Sequence, residues 1–196
     1  ASLNQYMAKD FFNRIGFQKG IVSAGKLLIS EPFMFDENFK RTVIFLTEHN
    51  EKGSVGFILN KPSGKKLKDV LPEIEIQDFD LFTGGPVGSD MLFFLHSLGD
   101  LIPGGVKITD NIHWGGDFEI LQSEILKGNV TKNEVRFFMG YSGWAPDQLT
   151  YEISENSWLL AKMKDELIMK GKSKLFWKSA LTGLGQDYRV MANFPE

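Results

Sequence analysis

Apolar positions in this chain fall into short continuous runs separated by glycine, proline and asparagine. Arg41-Thr42-Val43-Ile44-Phe45-Leu46-Thr47-Glu48-His49 is β-branched and apolar without strict alternation, which predicts a strand covered on both faces. Asn50-Glu51-Lys52-Gly53 is turn chemistry and Ser54 to Asn60 returns as a partner strand, so a hairpin with a four-residue loop is expected. Lys26 to Ser30 is a short strand stopped by Pro32, and Phe33, Phe35 and Phe39 are expected to tuck inward from the loop that runs to Lys40. Met91 to His96, Ile112 to Trp114 and Glu134 to Met139 predict further strands. Lys61-Pro62-Ser63-Gly64 reads as a break, followed by a short helix from Lys66 to Leu71 halted by Pro72.

Helical spacing is rarer. Leu3, Tyr6, Met7, Phe11 and Ile15 predict an amphipathic N-terminal helix ending near Gly16. Asp117 is placed to cap a helix with Phe118, Leu121 and Ile125 inward, Leu126 at the margin of that stripe and Gly128 past its end. Ser173 is placed to cap another, with Phe176, Trp177, Ala180 and Leu181 inward and Gly183 closing it. Trp158 to Ala161 is too short for its period to separate strand from helix, and Tyr188 to Glu196 reads as strand or loop. Strands and short helices alternate with a tight hairpin among them, and no linker divides the chain. The pattern predicts one α/β domain with a mixed sheet, residues 26–196, preceded by the N-terminal helix and lead-in of residues 1–25.

The run Phe137 to Glu152 concentrates the unusual features. It reads as a buried strand entering a glycine turn with two aromatics, Gly140-Tyr141-Ser142-Gly143-Trp144, and then a helix from Pro146 to Ile153. A nucleophile elbow, G-x-S-x-G, needs a glycine two residues after the serine; here Gly143 comes one residue early and Trp144 fills the next position. No phosphate-loop or dinucleotide fingerprint follows any strand. A helix opening at Pro146 would offer free N–H groups to an anion, with Asp147 already on its first turn. Gln148 and Glu152, four apart, share one helix face and are placed to brace the glycine turn.

Composition narrows the chemistry. The chain has 196 residues, 42% of them hydrophobic and 24% charged, with seventeen Phe and no Cys. Disulfides, zinc–thiolate sites and thiol nucleophiles are therefore excluded, and a cytoplasmic protein is expected. A net charge of −3 disfavours direct nucleic-acid binding. No run approaches the ~18 apolar residues of a membrane span. His49, His96 and His113 show no metal-ligand spacing, and Asp36, Glu48, Asp90 and Glu152 are too scattered to be paired from sequence. No metal, cofactor or catalytic residue is expected. Trp114, Trp144, Trp158 and Trp177 are core candidates before they are pocket walls.

Several ordered motifs carry a likeness to a known family. Lys26-Leu27-Leu28-Ile29-Ser30-Glu31-Pro32, Phe39-Lys40-Arg41-Thr42-Val43-Ile44, Gly53 to Asn60 with Pro62, Gly84-Gly85-Pro86-Val87 and Gly140 to Glu152 together resemble the AlgH/YqgE family of bacterial proteins, over nearly all the chain after Gly25. Trp158 and Trp177 also fall where that family tends to place tryptophan. The resemblance implies a mixed, branched β-sheet with a small barrel-like part, surrounded by helices, and no established reaction; some members are labelled transcriptional regulators. Ser142, in place of a small apolar residue, and Pro146-Asp147, in place of glycine, depart from the family pattern.

The resulting expectation is a non-catalytic protein, a monomer or weak oligomer, that binds a small ligand or protein partner in a glycine- and aromatic-lined groove. Its rim is assigned to Arg41, Thr42, Asn60, Gly84, Gly85, Pro86, Gly140, Tyr141, Gly143, Trp144 and Gln148. A transcriptional regulator, acting directly or through a partner, and a hydrolase-like enzyme using Glu152 or His96 are the alternatives.

Overall fold

A computed structural model describes residues 20–73, 79–171 and 175–195, with the backbone alone at 186 and 187. The expected N-terminal helix and the Ser173 cap lie outside the described residues. In chain order the strands are β1 (Leu27–Ser30), β2 (Val43–Asn50), β3 (Gly53–Ile58), β4 (Pro62–Lys66), β5 (Asp80–Thr83), β6 (Val87–His96), β7 (Val106–Lys107), β8 (His113–Trp114), β9 (Val135–Trp144) and β10 (Trp158–Ala161). The helices are α1 (Leu67–Val70), α2 (Phe118–Leu126), α3 (Gln148–Ser154), α4 (Asp165–Lys170), α5 (Phe176–Thr182) and α6 (Gln186–Ala192). A 3-10 turn spans Gly99–Leu101.

All ten strands form one sheet, ordered β10-β1-β2-β3-β9-β6-β8-β7, with β5 branching from β9 and β4 from β5. The β5–β9 pairing is parallel and the rest are antiparallel, so the sheet is mixed and branched, as the resemblance implied. It does not close: the main path ends at β10 and β7, and the barrel-like part is no complete ring of strands.

Both faces of the central strands are covered, and alternation sorts their side chains between two cores. Leu27, Ile29, Val43, Phe45 and Phe57 pack with α4, α5 and α6, whereas Leu28, Ile44, Leu46 and Ile58 pack with Leu149 of α3. A third core joins Phe137, Leu81 and Phe94 to Leu67 of α1 and Leu121 and Ile125 of α2. Each such side chain withdrawn from water contributes about 1.5–3 kcal/mol before entropy is counted. The Asp117 cap is present, its carboxylate accepting from the Ile120 N–H at 3.1 Å.

Several local expectations are corrected. The hairpin loop has two residues, because Asn50 still pairs with Gly53 and its side chain accepts from the Lys52 N–H. Pro62 to Lys66 is a strand, with Pro62 at its first position where no ladder donor is needed. Phe35 is 70% exposed and Leu126 49% exposed, outside their expected cores. Trp158 to Ala161 is a strand, and the tail forms α6, which packs Met191 and Ala192 against the core beside α5. Gly140 to Gly143 is not a turn: β9 runs through it to Trp144.

Candidate functional site: the cleft over the β3–β9 seam

The branch in the sheet explains the glycines. The first half of β9 lies between β5 and β6, and from Ser142 onward it pairs with β3 instead of β5. Gly84, just past β5, joins the three strands. Its N–H donates to Met139 O, and its carbonyl accepts from the Ile58 N–H and from Ser142 Oγ at 3.0 Å. A side chain there would run into the Gly140 carbonyl, and one at Gly85 would overlap the Tyr141 carbonyl. Ser142 is fully buried and spent on the Gly84 carbonyl, so the hydroxyl that invited comparison with an elbow is a structural tie.

Beyond the seam the chain turns through Ala145, Pro146 and Asp147, the last in the left-handed region at φ 65°, and α3 starts at Gln148 rather than Pro146. Gln148 Oε1 accepts from the Ala145 N–H at 2.9 Å, which closes the turn. The Glu152 carboxylate binds two indoles through one oxygen: Trp144 Nε1–H donates at 2.8 Å and Trp158 Nε1–H at 3.2 Å. Gln148 and Glu152 therefore brace this stretch. Hydrogen bonds to a charged group contribute about 1.5–3 kcal/mol each, and at the low end for this partly exposed carboxylate the loss of both should make Glu152→Ala cost about 3 kcal/mol in urea denaturation and Glu152→Gln, which keeps an acceptor oxygen, about half of that.

Above the seam lies an open cleft of about 300 Å³. Tyr141, Gly143 and Trp144 of β9 and Val87 of β6 line it together with Glu48, Asn50, Lys52, Gly53, Ser54 and Val55 of the β2–β3 hairpin. Val55 stands opposite Gly143 in the register, so the sheet floor is bare where Gly143 has no side chain. Tyr141 forms a wall, its ring held edge-on by Phe93 at 5.7 Å. Glu48 and Lys52 put one charge of each sign on the exposed rim. The hairpin residues were not assigned to the site from sequence, because the β3–β9 pairing joins segments about ninety residues apart and leaves no local signal.

The expected rim thus divides. Tyr141, Gly143 and Trp144 line the cleft; Gly84, Gly85 and Gly140 build the branch beside it; Pro86 is exposed just before Val87; Gln148 belongs to the brace. Arg41, Thr42 and Asn60 form a separate clasp. Arg41 has φ 51°, its guanidinium lies 4.4 Å over the Trp177 ring, and Nη2 donates to Phe194 O, which ties down the end of the chain. Asn60 secures that bend by donating to Arg41 O and accepting from the Val43 N–H, while Thr42 Oγ1 donates to Phe39 O.

Beside the cleft, Ser54 of its lining meets His49, with Nδ1 and Oγ 2.7 Å apart in a cross-strand contact of the hairpin. No carboxylate among the described residues bonds the other nitrogen of His49, so the pair lacks the orienting member of a triad. The described residues hold no group of three or more His, Asp or Glu able to take a metal. The most costly buried group lies elsewhere. Arg136 on β9 is 1% exposed, donates to Ile168 O and Leu59 O, and stacks over Phe82 at 4.5 Å. Burial pulls its guanidinium pKa down to about 9.

The comparisons agree with this architecture. The DUF179 family model, described as AlgH-like, matches residues 27–189. A UPF0301 protein of Bacteroides fragilis is 45% identical over 175 residues, covering 89% of each chain, and one of Chlorobium limicola is 42% identical over 172 residues, covering 88% of this chain and 92% of its own. Among solved structures, a protein from Corynebacterium diphtheriae superposes with a TM-score of 0.75 at 20% identity, covering 92% of this chain and 96% of that one, and shares the fold. The solution structure of the AlgH protein from Pseudomonas aeruginosa superposes with a TM-score of 0.71 at 28% identity, covering 91% of this chain and 98% of that one. None of these names states an activity. On the family match and the identities together, this chain belongs to the AlgH-like family.

Proposed function

We propose that the protein is a non-catalytic binding module whose site is the cleft over the β3–β9 seam. One observation carries the reading: Gly143 leaves the sheet floor open between Tyr141 and Trp144, with the β2–β3 hairpin as the opposite wall. Such a concavity, aromatic on one side and polar at its rim, suits a small molecule with a flat apolar part against Tyr141 and polar groups toward Glu48 and Lys52. The reading places the protein in the cytoplasm, in keeping with a chain that has no cysteine. No helix among the described residues is long and apolar enough to cross a membrane. A regulatory role would act through the bound ligand or a protein partner rather than through DNA, because the net charge of −3 offers little to phosphates.

The test is a thermal-shift screen of nucleotides, inorganic anions, divalent metals and metabolites on the native protein and on Gly143→Leu. A compound at about 100 times its Kd should stabilise the native protein by about 2.7 kcal/mol. A Cβ at this position sits 3.3 Å from the Tyr141 ring and 4.0 Å from the Ser54 carbonyl, with no backbone overlap, so the variant should fold, fill the floor and lose the shift. Stabilisation that survives Gly143→Leu, or a panel without any stabilising compound, counts against the reading.

A further inference from the structure

We propose that the stacked imidazoles of His96 and His113 form an acid-operated latch that holds the β7–β8 ribbon on the sheet and, through a row of aromatic rings, sets the wall of the cleft. The second half of this proposal rests on the cleft being the binding site.

The ribbon's far turn is anchored on α4, where the Asp165 carboxylate accepts from Thr109 Oγ1 and from the Asn111 N–H, and Ile112 is buried in the main core, but its seam with the sheet is short. Strands β7 and β8 are two residues each, and β8 meets β6 only through the pairs Leu95 with Trp114 and His96 with His113. One further backbone bond, Gly115 N–H to Phe94 O, extends the seam. The two rings lie 5.3 Å apart at 15°, and His96 is fully buried. His96 Nδ1 accepts from the Leu98 N–H at 3.2 Å, which leaves Nε2–H to donate to Gly115 O at 3.0 Å. Only the neutral ring can make both bonds. A second proton would set Nδ1–H against the Leu98 N–H, two donors facing each other. His113 Nδ1 is buried with no partner among the described residues.

The charges around the pair do not offset a cation. Lys107 of β7 stands opposite His113, Glu134 and Arg136 flank the Val135 that pairs with His96, the 3-10 turn carries Asp100, and Asp117 follows the Gly115-Gly116 bend. The charge that bears on His96 is that of His113, a like charge once both are protonated. Burial first, and His113 with it, hold His96 below the ordinary histidine range, against the pull of the Gly115 carbonyl. The sign follows: below about pH 6.5 an opened ribbon takes up protons that the closed ribbon refuses, so closure weakens as pH falls. From β8, Trp114 packs on Phe57 at 5.9 Å, Phe57 on Phe93 at 5.4 Å, and Phe93 on Tyr141 at 5.7 Å. Release of Trp114 frees the row that ends at the cleft wall.

Amide hydrogen exchange at about pH 7 and about pH 5, corrected for intrinsic rates and without any ligand, reads the latch directly. Protection at Leu98 and Gly115 should fall by up to about tenfold per pH unit below about pH 6.5 as His96 takes up its proton, while Ile44 and Phe45 in the sheet centre stay protected. His113→Phe keeps a stacked ring and removes the second charge, so its midpoint should move to lower pH. Unchanged protection at Leu98 and Gly115, loss at one common midpoint across the whole sheet, or an unmoved midpoint in His113→Phe each overturns the latch. A Tyr141 ring whose NMR shift follows the same midpoint supports the coupling to the cleft, and a Tyr141 ring that keeps its shift overturns it. None of these readouts depends on ligand binding, so the latch can stand if the cleft proves to bind nothing.

Discussion

Arg136→Ala should lose about 3–5 kcal/mol of folding stability in urea denaturation, as much as truncating a fully buried aromatic ring. The guanidinium fills the space between β9, Leu59 and α4, so its removal leaves a cavity. It also strips the only side-chain donors among the described residues from two carbonyls, Ile168 O at 2.7 Å and Leu59 O at 2.6 Å. The Ile168 carbonyl lies in the last turn of α4, where a cation is favoured by the helix dipole. Arg136→Met separates the contributions. It refills most of the volume and removes the desolvation cost that pulls the guanidinium pKa to about 9, but it leaves both carbonyls unpaired. The methionine variant should therefore lose distinctly less than the alanine variant. Equal losses would mean that the carbonyl bonds dominate and that desolvation matters little.

Gly140→Ala should cost about 3 kcal/mol or more and lower expression of folded protein. Gly140 has φ 72°, where an L side chain is strained by about 1–2 kcal/mol, and its Cβ would sit 2.6 Å from the Gly85 carbonyl and 2.9 Å from that of Val87. Both neighbours are backbone, so relief requires the β5–β6 connection to move away from β9. Gly143→Ala is the internal control. Gly143 needs no left-handed backbone, and a Cβ there meets the Tyr141 ring at 3.3 Å and the Ser54 carbonyl no nearer than 4.0 Å, so a loss of less than about 1 kcal/mol is expected. Equal losses at the two positions would contradict the account of Gly140 as the residue at which β9 changes partners.

These two residues show what the sequence conveyed and what it did not. The central strands were legible because Val43 to Leu46 and Phe57 to Leu59 are buried on both faces and carry no polar alternation. Helix α2 was legible through its Asp117 cap and the stripe of Leu121 and Ile125, both local signals. Gly140 to Gly143 misled, because glycines that usually mark a turn here let one strand continue past a branch. Arg136 gave no signal of burial, since its partners Leu59 and Ile168 are 77 and 32 residues away. The brace of Gln148 and Glu152 was visible as one helix face, but the second indole, Trp158, comes from β10 and needed the fold. The site divided for the same reason. Residues close in sequence to Gly143 lie together at one place, while Arg41, Thr42 and Asn60, equivalent to them by type, clasp the C-terminal segment.

The central claim, that the cleft over the β3–β9 seam is a binding site, is tested most directly by a two-dimensional amide NMR titration with a library of small aromatic and zwitterionic fragments. The account predicts shift changes concentrated at Lys52, Val55, Tyr141, Gly143 and Trp144, absent in Gly143→Leu. Changes centred on the Arg41–Asn60 clasp, or scattered over the surface and unaffected by that substitution, would contradict it.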